Sequence, residues 1–194
     1  TALRLQDAGG ARFFAKLAPA AQAPMFEAEA DGLGAIAASG SLRTPAVIAR
    51  GGDEAHAILV LEWLDLQPLT SAADGARFAE ALAALHRNVG EHFGWPRDNF
   101  IGRTPQANTE RDNWARFFVE QRLRPQFARA RAQGFDIELQ RQADRLLDRV
   151  PALFLDYRPP ESLLHGDLWH GNAAVLADGT PVVFDPAVHR GARE

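Results

Sequence analysis

The sequence predicts an α+β fold in two lobes, a small lobe rich in β-strand and a larger lobe that is mainly helical. Strand patterns and one helical pattern fill residues 1-65, whereas long helical patterns dominate residues 66-194. A β-hairpin pattern near the end of the chain returns to strand after the helices. The chain has 194 residues, 46% of them hydrophobic, which is enough for a sizeable core.

The small lobe is expected to be a sheet with one helix. The segments TALRL and ARFFAKLA predict two strands around the turn QDAGG, and alternation puts Phe14 and Lys16 on one face of the second strand. Apolar residues recur at a helical period from Pro24 to about Ser39, with Pro24 suited to a first turn and Gly40 to a C-terminal cap. The segments TPAVIAR and AHAILVLEWL predict two more strands around the turn GGDE.

The larger lobe begins with three amphipathic helical patterns. The second opens with a predicted Thr109 cap and closes at Gly134, and the third starts at Asp136. Pro125 and Pro151 should kink or end the second and third helices. The residues predicted to face the core are Phe78, Leu82, Leu85 and Val89 in the first helix, Trp114, Phe117, Phe118, Leu123 and Phe127 in the second, and Ile137, Leu139, Ala143, Leu146, Leu147 and Val150 in the third.

Composition argues against several classes of function. The formal net charge of -4 argues against a broad nucleic-acid footprint, which is normally basic. No apolar run reaches the ~18 residues of a membrane-spanning helix, and no signal peptide is visible, so we expect no membrane partner. The chain has no cysteine, which excludes disulfides and thiolate zinc sites and fits a cytoplasmic location. No feature of the sequence predicts an oligomeric state.

The hairpin pattern NAAVLADGTPVVFD gathers polar side chains at one edge of the larger lobe. A two-residue turn at Asp178-Gly179 would place Asn172 opposite Asp185 at the open end of the hairpin. Asp167 adds a second carboxylate in the loop that leads into the same hairpin. Because carboxylate and amide oxygens suit Mg²⁺, which takes one or two protein ligands, the pattern predicts a magnesium site here.

The spacing of these residues resembles the catalytic loop of protein-kinase-like phosphotransferases. It reads His-x-Asp-x-x-x-x-Asn from His165 to Asn172, with Asp185 thirteen residues later. In that superfamily the first aspartate accepts the proton of the acceptor hydroxyl, while the asparagine and second aspartate hold Mg²⁺ on the nucleotide phosphates. The resemblance implies that Asp167 is the catalytic base, that Asn172 and Asp185 are metal ligands, and that His165 supports the loop.

Lys16 gains a candidate role from the same resemblance. It is the only lysine among the 21 Lys and Arg residues, which either reflects nucleotide composition or marks a position that needs a compact ammonium. In the similar fold a strand lysine reaches the α- and β-phosphates and is held by a glutamate of the following helix, where Glu27 and Glu29 are available and the spacing favours Glu29. The implied hinge, whose backbone meets adenine, consists of Glu62, Trp63 and Leu64.

Two longer segments resemble the fructosamine kinase family, also called ketosamine kinases. They are HGDLWHGNAAVLADGTPVVFDPAV and the segment GWPRDNFIGRTPQANTERDNWARFFVEQRLRPQ from Gly94 to Gln126. Aminoglycoside and choline kinases share the Asp/Asn/Asp core but not the second segment. The resemblance covers essentially the whole chain and implies a protein-kinase-like fold, with a nucleotide-binding lobe in residues 1-65 and the catalytic loop and metal-binding hairpin in residues 66-194.

The resemblance implies an ATP- and Mg²⁺-dependent kinase for the sugar 3-hydroxyl of ketosamines, either free small molecules or glycated protein amines. Trp169 and His170 are the candidate acceptor-site residues, and His170 stands where Ser or Gly is usual. Four residues of the second segment either shape the acceptor site or pack that segment: Asn99, Gln106, Asn108 and Trp114. The family extends further at both ends, so we expect partial lobes and no glycine-rich loop over the phosphates.

Three other interpretations stay open beside the ketosamine kinase. A metal hydrolase could use His165, Asp167 and His170 around a transition metal. This interpretation would leave Asn172, Asp185 and Lys16 without a role. A non-catalytic kinase-like module would bind nucleotide without turnover. A kinase for another small acceptor, such as an aminoglycoside, would share the same core residues.

Overall fold

A four-stranded antiparallel sheet forms the first part of the computed structural model, which describes residues 1–194. Its order is β1-β2-β4-β3, and helix α1 lies between β2 and β3 in the chain. Pro24 stands in the first turn of α1, as predicted, and Gly40 takes a left-handed φ of +68° just after it. The bounds are β1 Ala2–Gln6, β2 Arg12–Pro19, α1 Ala23–Ala38, β3 Val47–Gly52 and β4 His56–Glu62.

Helix α1 packs against the face of the sheet that carries Phe14 and Lys16. Leu33 of α1 is buried against Leu59 and Leu61 of β4, which lie opposite Lys16 and Phe14 in the β2–β4 register. The predicted alternation in β2 is therefore confirmed, and it brings the Lys16 side chain towards the helix.

The first helix of the larger part, α2 Ala72–His86, begins with a capping box. The Ser71 hydroxyl accepts from the Asp74 N–H at 3.0 Å, and the Asp74 carboxylate accepts from the Ser71 N–H at 3.2 Å. The helix ends earlier than predicted, so the expectation that Val89 faces the core is wrong. Val89 lies beyond α2, is exposed, and forms a single β-bridge with Ser162.

The second predicted helix begins at Asn113 and changes its winding midway. The Asn113 carboxamide oxygen accepts from the Arg116 N–H at 2.9 Å, so the predicted Thr109 cap is wrong. The path runs through α3 Trp114–Phe117, a π-helical turn Phe118–Leu123 and α4 Arg124–Ala132. Pro125 lies in the first turn of α4, where its missing N–H is tolerated, so this proline follows a widened turn and does not end the helix.

The third predicted helix, α5 Ile137–Arg149, starts at Asp136, whose carboxylate accepts from the N–H groups of residues 138 and 139 at 2.8 and 2.9 Å. Pro151 ends it as predicted, in a 3₁₀ turn Val150–Phe154. Its core face is narrower than expected, because α5 packs on one side only, against the π turn, the 3₁₀ turn and Phe127 of α4. Ala143, Leu147 and Val150 are buried, whereas three residues predicted to face the core are exposed: Ile137, Leu139 and Leu146.

Three short antiparallel pairs complete the fold. A buried cluster made from both parts of the chain lies beneath them, and its members are Ile36, Leu42, Leu85, Leu163, Val183 and Val188. None of the helices is long and apolar enough to span a bilayer. The strands are β5 Asn99–Ile101 with β6 Thr104–Gln106, β7 Ser162–Leu164 with β10 His189–Gly191, and β8 Ala173–Val175 with β9 Pro181–Val183.

The hairpin of β8 and β9 has a different register from the predicted one. Its loop has three residues, because Leu176 pairs with Thr180 and Gly179 closes the turn at φ +82°. The Phe184 N–H therefore donates to the Asn172 carbonyl at 3.2 Å. Asn172 lies opposite Phe184, so the predicted cross-strand pairing of Asn172 with Asp185 is wrong by one residue.

Candidate active site

The Lys16 ammonium lies between two carboxylates that come from distant parts of the chain. Its Nζ donates to Glu29 Oε1 at 2.7 Å and to Asp185 Oδ1 at 2.6 Å. The side chains of Lys16 and Glu29 are 18% and 13% exposed, so this pair is largely shielded from water. Glu27 instead pairs with Arg97 at 3.1 Å near the surface. The glutamate favoured by the sequence spacing is thus the one that contacts Lys16.

Burial and charge act in opposite directions on this ammonium. Burial lowers the pKa of Lys16, but the charges and hydrogen bonds of Glu29 and Asp185 outweigh it, and the pKa of Lys16 is raised. Burial, and then the Asp185 charge, raise the pKa of Glu29 despite the nearby ammonium. One cation therefore serves two carboxylates, and the cluster carries an excess of negative charge.

The loop Gly166–Asp167 is fixed by backbone geometry and by His165. Gly166 has a φ of +82°, and a Cβ at this position would collide with the Ala187 carbonyl oxygen. The Asp167 N–H donates to His165 Nδ1 at 3.3 Å, so the imidazole is neutral with its Nε2–H donating to the Phe184 carbonyl at 3.0 Å. Burial lowers the pKa of His165, which keeps this arrangement neutral. His165 thus holds the Asp167 loop against the hairpin.

The Asn172 side chain holds Asp167 and leaves one oxygen free. Its Nδ2 donates to the Asp167 carbonyl at 2.8 Å and to Asp167 Oδ2 at 3.3 Å, so Oδ1 is available to another ligand. Asp185 has a left-handed φ of +55°, which turns its side chain towards Lys16 although it is not opposite Asn172 in the hairpin. Asp167, Asn172 and Asp185 therefore line one cavity of ≈ 440 Å³ together with Lys16 and Glu29.

These donors fit Mg²⁺ better than a transition metal. Asn172 Oδ1 and the second Asp185 oxygen are hard oxygen ligands, and the excess of carboxylates over the single lysine favours a divalent cation. No three His, Asp or Glu side chains are grouped so that they could hold a metal ion by themselves. His165 uses both ring nitrogens within the chain, which removes the first ligand of the metal-hydrolase interpretation.

A second cavity of ≈ 300 Å³ adjoins the first at Asp185 and is mainly apolar. Beyond strand β4 the Leu64 N–H donates to no other group of the chain, and Leu64 lines this cavity. Arg43 and the Ala46 N–H hold the Glu62 carboxylate, and the Trp63 indole donates to Asp65 at 2.9 Å. The cavity is lined by Phe14, Pro45, Leu61, Glu62, Trp63, Leu64, Leu66, Phe184 and Asp185.

The two candidate acceptor residues are placed differently. Trp169 lines the first cavity with its indole 54% exposed, whereas His170 does not line it and contacts Trp169 edge-on at 4.6 Å between ring centroids. Asn99 and Gln106 are buried and donate to the carbonyls of Val188 and Ala187 at 2.7 and 3.3 Å.

Asn108 accepts from Arg122 at 2.6 Å, and Trp114 stacks on Phe117 and Phe118. Four residues of the second segment are thus engaged in packing, which favours the structural interpretation that the sequence left open.

Sequence reasoning missed the residues that close the first cavity from the other side. They are contributed by the first turn of α1 and by the β5–β6 hairpin, and they are Met25, Phe26, Phe100, Gly102 and Arg103. Met25 and Phe26 lie four and three residues before Glu29, so helical spacing could have found them. Arg103 follows Gly102 in a two-residue turn, a pattern that locates a hairpin but not what its tip faces.

The model of the fructosamine kinase family matches residues 1–194. A Synechocystis sp. protein named as a probable ketoamine kinase is 42% identical over 184 residues, which cover 94% of this chain and 61% of that protein. A crystal structure from Haemophilus somnus, described as a fructosamine-3-kinase, superposes with a TM-score of 0.86 at 28% identity and covers 100% of this chain and 68% of that one.

An aminoglycoside phosphotransferase of Streptomyces rimosus, in complex with ADP and streptomycin, shares the fold with a TM-score of 0.60 at 20% identity, over 98% of this chain and 72% of that one. The chain spans less than two thirds of the length of the Synechocystis relative. The fold is therefore the two-lobe, kinase-like α+β arrangement that the sequence predicted. Since the family model matches from the first residue to the last, the chain belongs to the fructosamine kinase family.

Proposed function

We propose that the chain forms the catalytic part of an ATP-dependent kinase that phosphorylates the sugar 3-hydroxyl of ketosamines, free or attached to protein. The observation that carries the proposal is the Lys16–Glu29–Asp185 network, which shares one cavity with Asp167 and Asn172. Residues 1-65 would bind the nucleotide, and residues 66-194 would supply the catalytic loop and the metal-binding hairpin.

The nucleotide would occupy both cavities. Adenine fits the apolar cavity, which is lined by Glu62, Trp63 and Leu64, and the Leu64 N–H has no partner within the chain. The phosphates would then pass Asp185 into the polar cavity and reach the Lys16 ammonium. Mg²⁺ held by Asn172 and Asp185 would neutralise the charge that develops on the phosphates.

Asp167 would act on the acceptor hydroxyl. Its carboxylate would accept the hydrogen bond of the hydroxyl and take its proton as the oxygen attacks the terminal phosphorus of ATP and ADP leaves. Asn172 and the His165 contact hold Asp167 in one orientation, which favours in-line attack. The Trp169 indole offers an apolar face for the sugar ring.

A ketosamine acceptor is supported by the family and by the name of the Synechocystis relative. Aminoglycoside phosphotransferases share the fold at 20% identity, which supports the kinase-like architecture and says nothing about the acceptor.

The test is ADP release by the purified protein with Mg-ATP, with and without a panel of ribulosamines and fructosamines. An aminoglycoside serves as the comparison acceptor, and Asp167→Asn is the matched inactive variant. We expect release that depends on a ketosamine and on Asp167. Release with the aminoglycoside alone would contradict the acceptor class, and nucleotide binding without release for any acceptor would favour a non-catalytic module.

A further inference from the structure

The β5–β6 hairpin is held rigidly over the first cavity. The Gln106 carboxamide donates to Asn99 Oδ1 at 2.8 Å, and Asn99 Nδ2 donates to the Val188 carbonyl at 2.7 Å. Both side chains are buried. Val188 lies three residues after Asp185, so the hairpin is tied to the segment that carries the metal-binding carboxylate. Gly102 has a φ of +57° at the first position of the two-residue turn, which makes a tight tip. The residue after it, Arg103, is thereby placed at the cavity.

The Arg103 side chain has no partner within the chain. It is exposed and lines the first cavity, yet its guanidinium forms no hydrogen bond or ion pair within the chain. By contrast, Arg97, six positions earlier in the chain, is paired with Glu27 of α1. An unpaired guanidinium presents five N–H donors in a planar fork that suits a carboxylate or a phosphate.

The charges in the cavity assign this cation to the acceptor side. The Lys16 ammonium is already shared between Glu29 and Asp185, and Asp185 also lines the apolar cavity proposed for adenine, so Lys16 lies on the nucleotide side of the polar cavity. Arg103 lines only the polar cavity, together with Asp167 and Trp169, and does not line the apolar cavity proposed for adenine. An acceptor whose hydroxyl reaches Asp167 therefore has Arg103 as the one cation available to the rest of the molecule.

We propose that Arg103 forms an anion subsite of the acceptor pocket and that the preferred ketosamine carries a negatively charged group, a carboxylate on its amine part or a phosphate on its sugar. This inference rests on the proposed kinase function and names the acceptor class of the same site. It makes a free glycated amino acid, or the adduct of a sugar phosphate, a better acceptor than a neutral ketosamine.

The test compares three ribulosamine acceptors: the adduct of ribose with glycine, the adduct of ribose with glycinamide, and the adduct of ribose 5-phosphate with glycinamide. The first two differ only in carboxylate against amide, and the third carries its charge on the sugar. For the wild type we expect kcat/KM to be about tenfold higher for at least one anionic acceptor than for the neutral one, the size of one charge-assisted hydrogen bond. Which anionic acceptor gains identifies the end of the acceptor that Arg103 contacts.

Variants separate this subsite from the chemistry. Arg103→Gln should abolish the preference by lowering kcat/KM for the anionic acceptor about tenfold, and Arg103→Lys should keep part of it. Arg129→Gln, which removes an exposed arginine of α4, is the control and should behave as the wild type.

Three results would overturn the inference. They are no preference in the wild type, a preference that survives Arg103→Gln, and an equal loss for all acceptors with a raised KM for ATP, which would assign Arg103 to the nucleotide phosphates. Nucleotide binding without transfer to any of the three ketosamines would instead overturn the proposed function, and the inference would fall with it.

Discussion

Lys16 Nζ lies 2.6 Å from Asp185 Oδ1, although the two residues are 169 positions apart in the chain. The contact joins strand β2 of the sheet to the second residue after strand β9, and so it connects the two parts of the fold at the candidate active site. The contact brings the cation proposed to bind phosphate next to a carboxylate proposed to bind Mg²⁺.

The first prediction concerns the chemistry of the cation at position 16. Lys16→Arg should lower kcat/KM for ATP about 10²-fold, because a planar guanidinium is too large for the space between Glu29 and Asp185, both within 2.7 Å of the ammonium. Kinetics at varied ATP concentration measure the loss. Arg129→Lys makes the converse change at the surface of α4 and should have no effect. A wild-type rate for Lys16→Arg would show that the lone lysine reflects composition.

The second prediction separates the base from nucleotide binding. Asp167→Asn should lower kcat by at least about 10²-fold, because a carboxamide cannot take the proton of the acceptor hydroxyl. Its affinity for Mg-ATP, measured by calorimetry, should stay within about threefold, since the predicted ligands Asn172 and Asp185 remain. Turnover comparable to the wild type would remove Asp167 from the role of base.

The third prediction concerns the backbone of the catalytic loop. Gly166→Ala should lower the free energy of unfolding by about 3 kcal/mol, because it combines a left-handed φ with a collision at the Ala187 carbonyl. Gly40→Ala is the matched control: Gly40 has a φ of +68° but open space around its Cβ, so about 1 kcal/mol is expected. Urea unfolding measures both. An equal loss of unfolding free energy in the two variants would mean that the Ala187 carbonyl moves away from the new Cβ at no energetic cost.

The fourth prediction concerns stability at acid pH. Burial, and then the Arg122 charge, lower the pKa of His189 to about 3. An unfolded histidine protonates near pH ~6.5, so the unfolded state binds more protons between these values, and stability falls as the pH falls below about 6.5. Between pH 7.5 and 5.5 this residue should account for a loss of about 1.4 kcal/mol.

His189→Gln should remove that part of the pH dependence, measured by urea unfolding at the two pH values. Val188→Ala disturbs the neighbouring buried position without removing a titratable group, so it should lower stability and leave the pH dependence unchanged. An unchanged slope for His189→Gln would contradict the lowered pKa, because it would mean that the imidazole takes up its proton over the same pH range in the folded and unfolded protein.

The sequence predicted the sheet and its helix because their patterns are local. Alternation in β2 and the placement of Pro24 and Gly40 depend on a few neighbouring residues. The Lys16–Glu29 contact followed from the family spacing, and the structure places both side chains where it implied.

The sequence predictions were wrong where two local structures suited the same residues equally well. Thr109 and Asn113 are both suitable N-caps, but Arg111 forms an antiparallel β-bridge with Phe93, so the helix begins only at Asn113. An Asp-Gly pair predicts a two-residue turn, but the hairpin uses a three-residue loop that ends at Gly179, which shifts the register by one. Arg103 was missed because an exposed turn arginine has no pattern that shows what it faces.

The environment of Lys16 also allows chemical labelling to measure how accessible its ammonium group is. Because these 194 residues contain no other lysine, an amine-directed acylating reagent has a single lysine to modify in this stretch of the protein. The ammonium is enclosed by Glu29 and Asp185 and its pKa is raised, so it is a poor nucleophile while both ion pairs are formed. The mass of one proteolytic peptide would therefore report, over time, how often Lys16 leaves these two carboxylates.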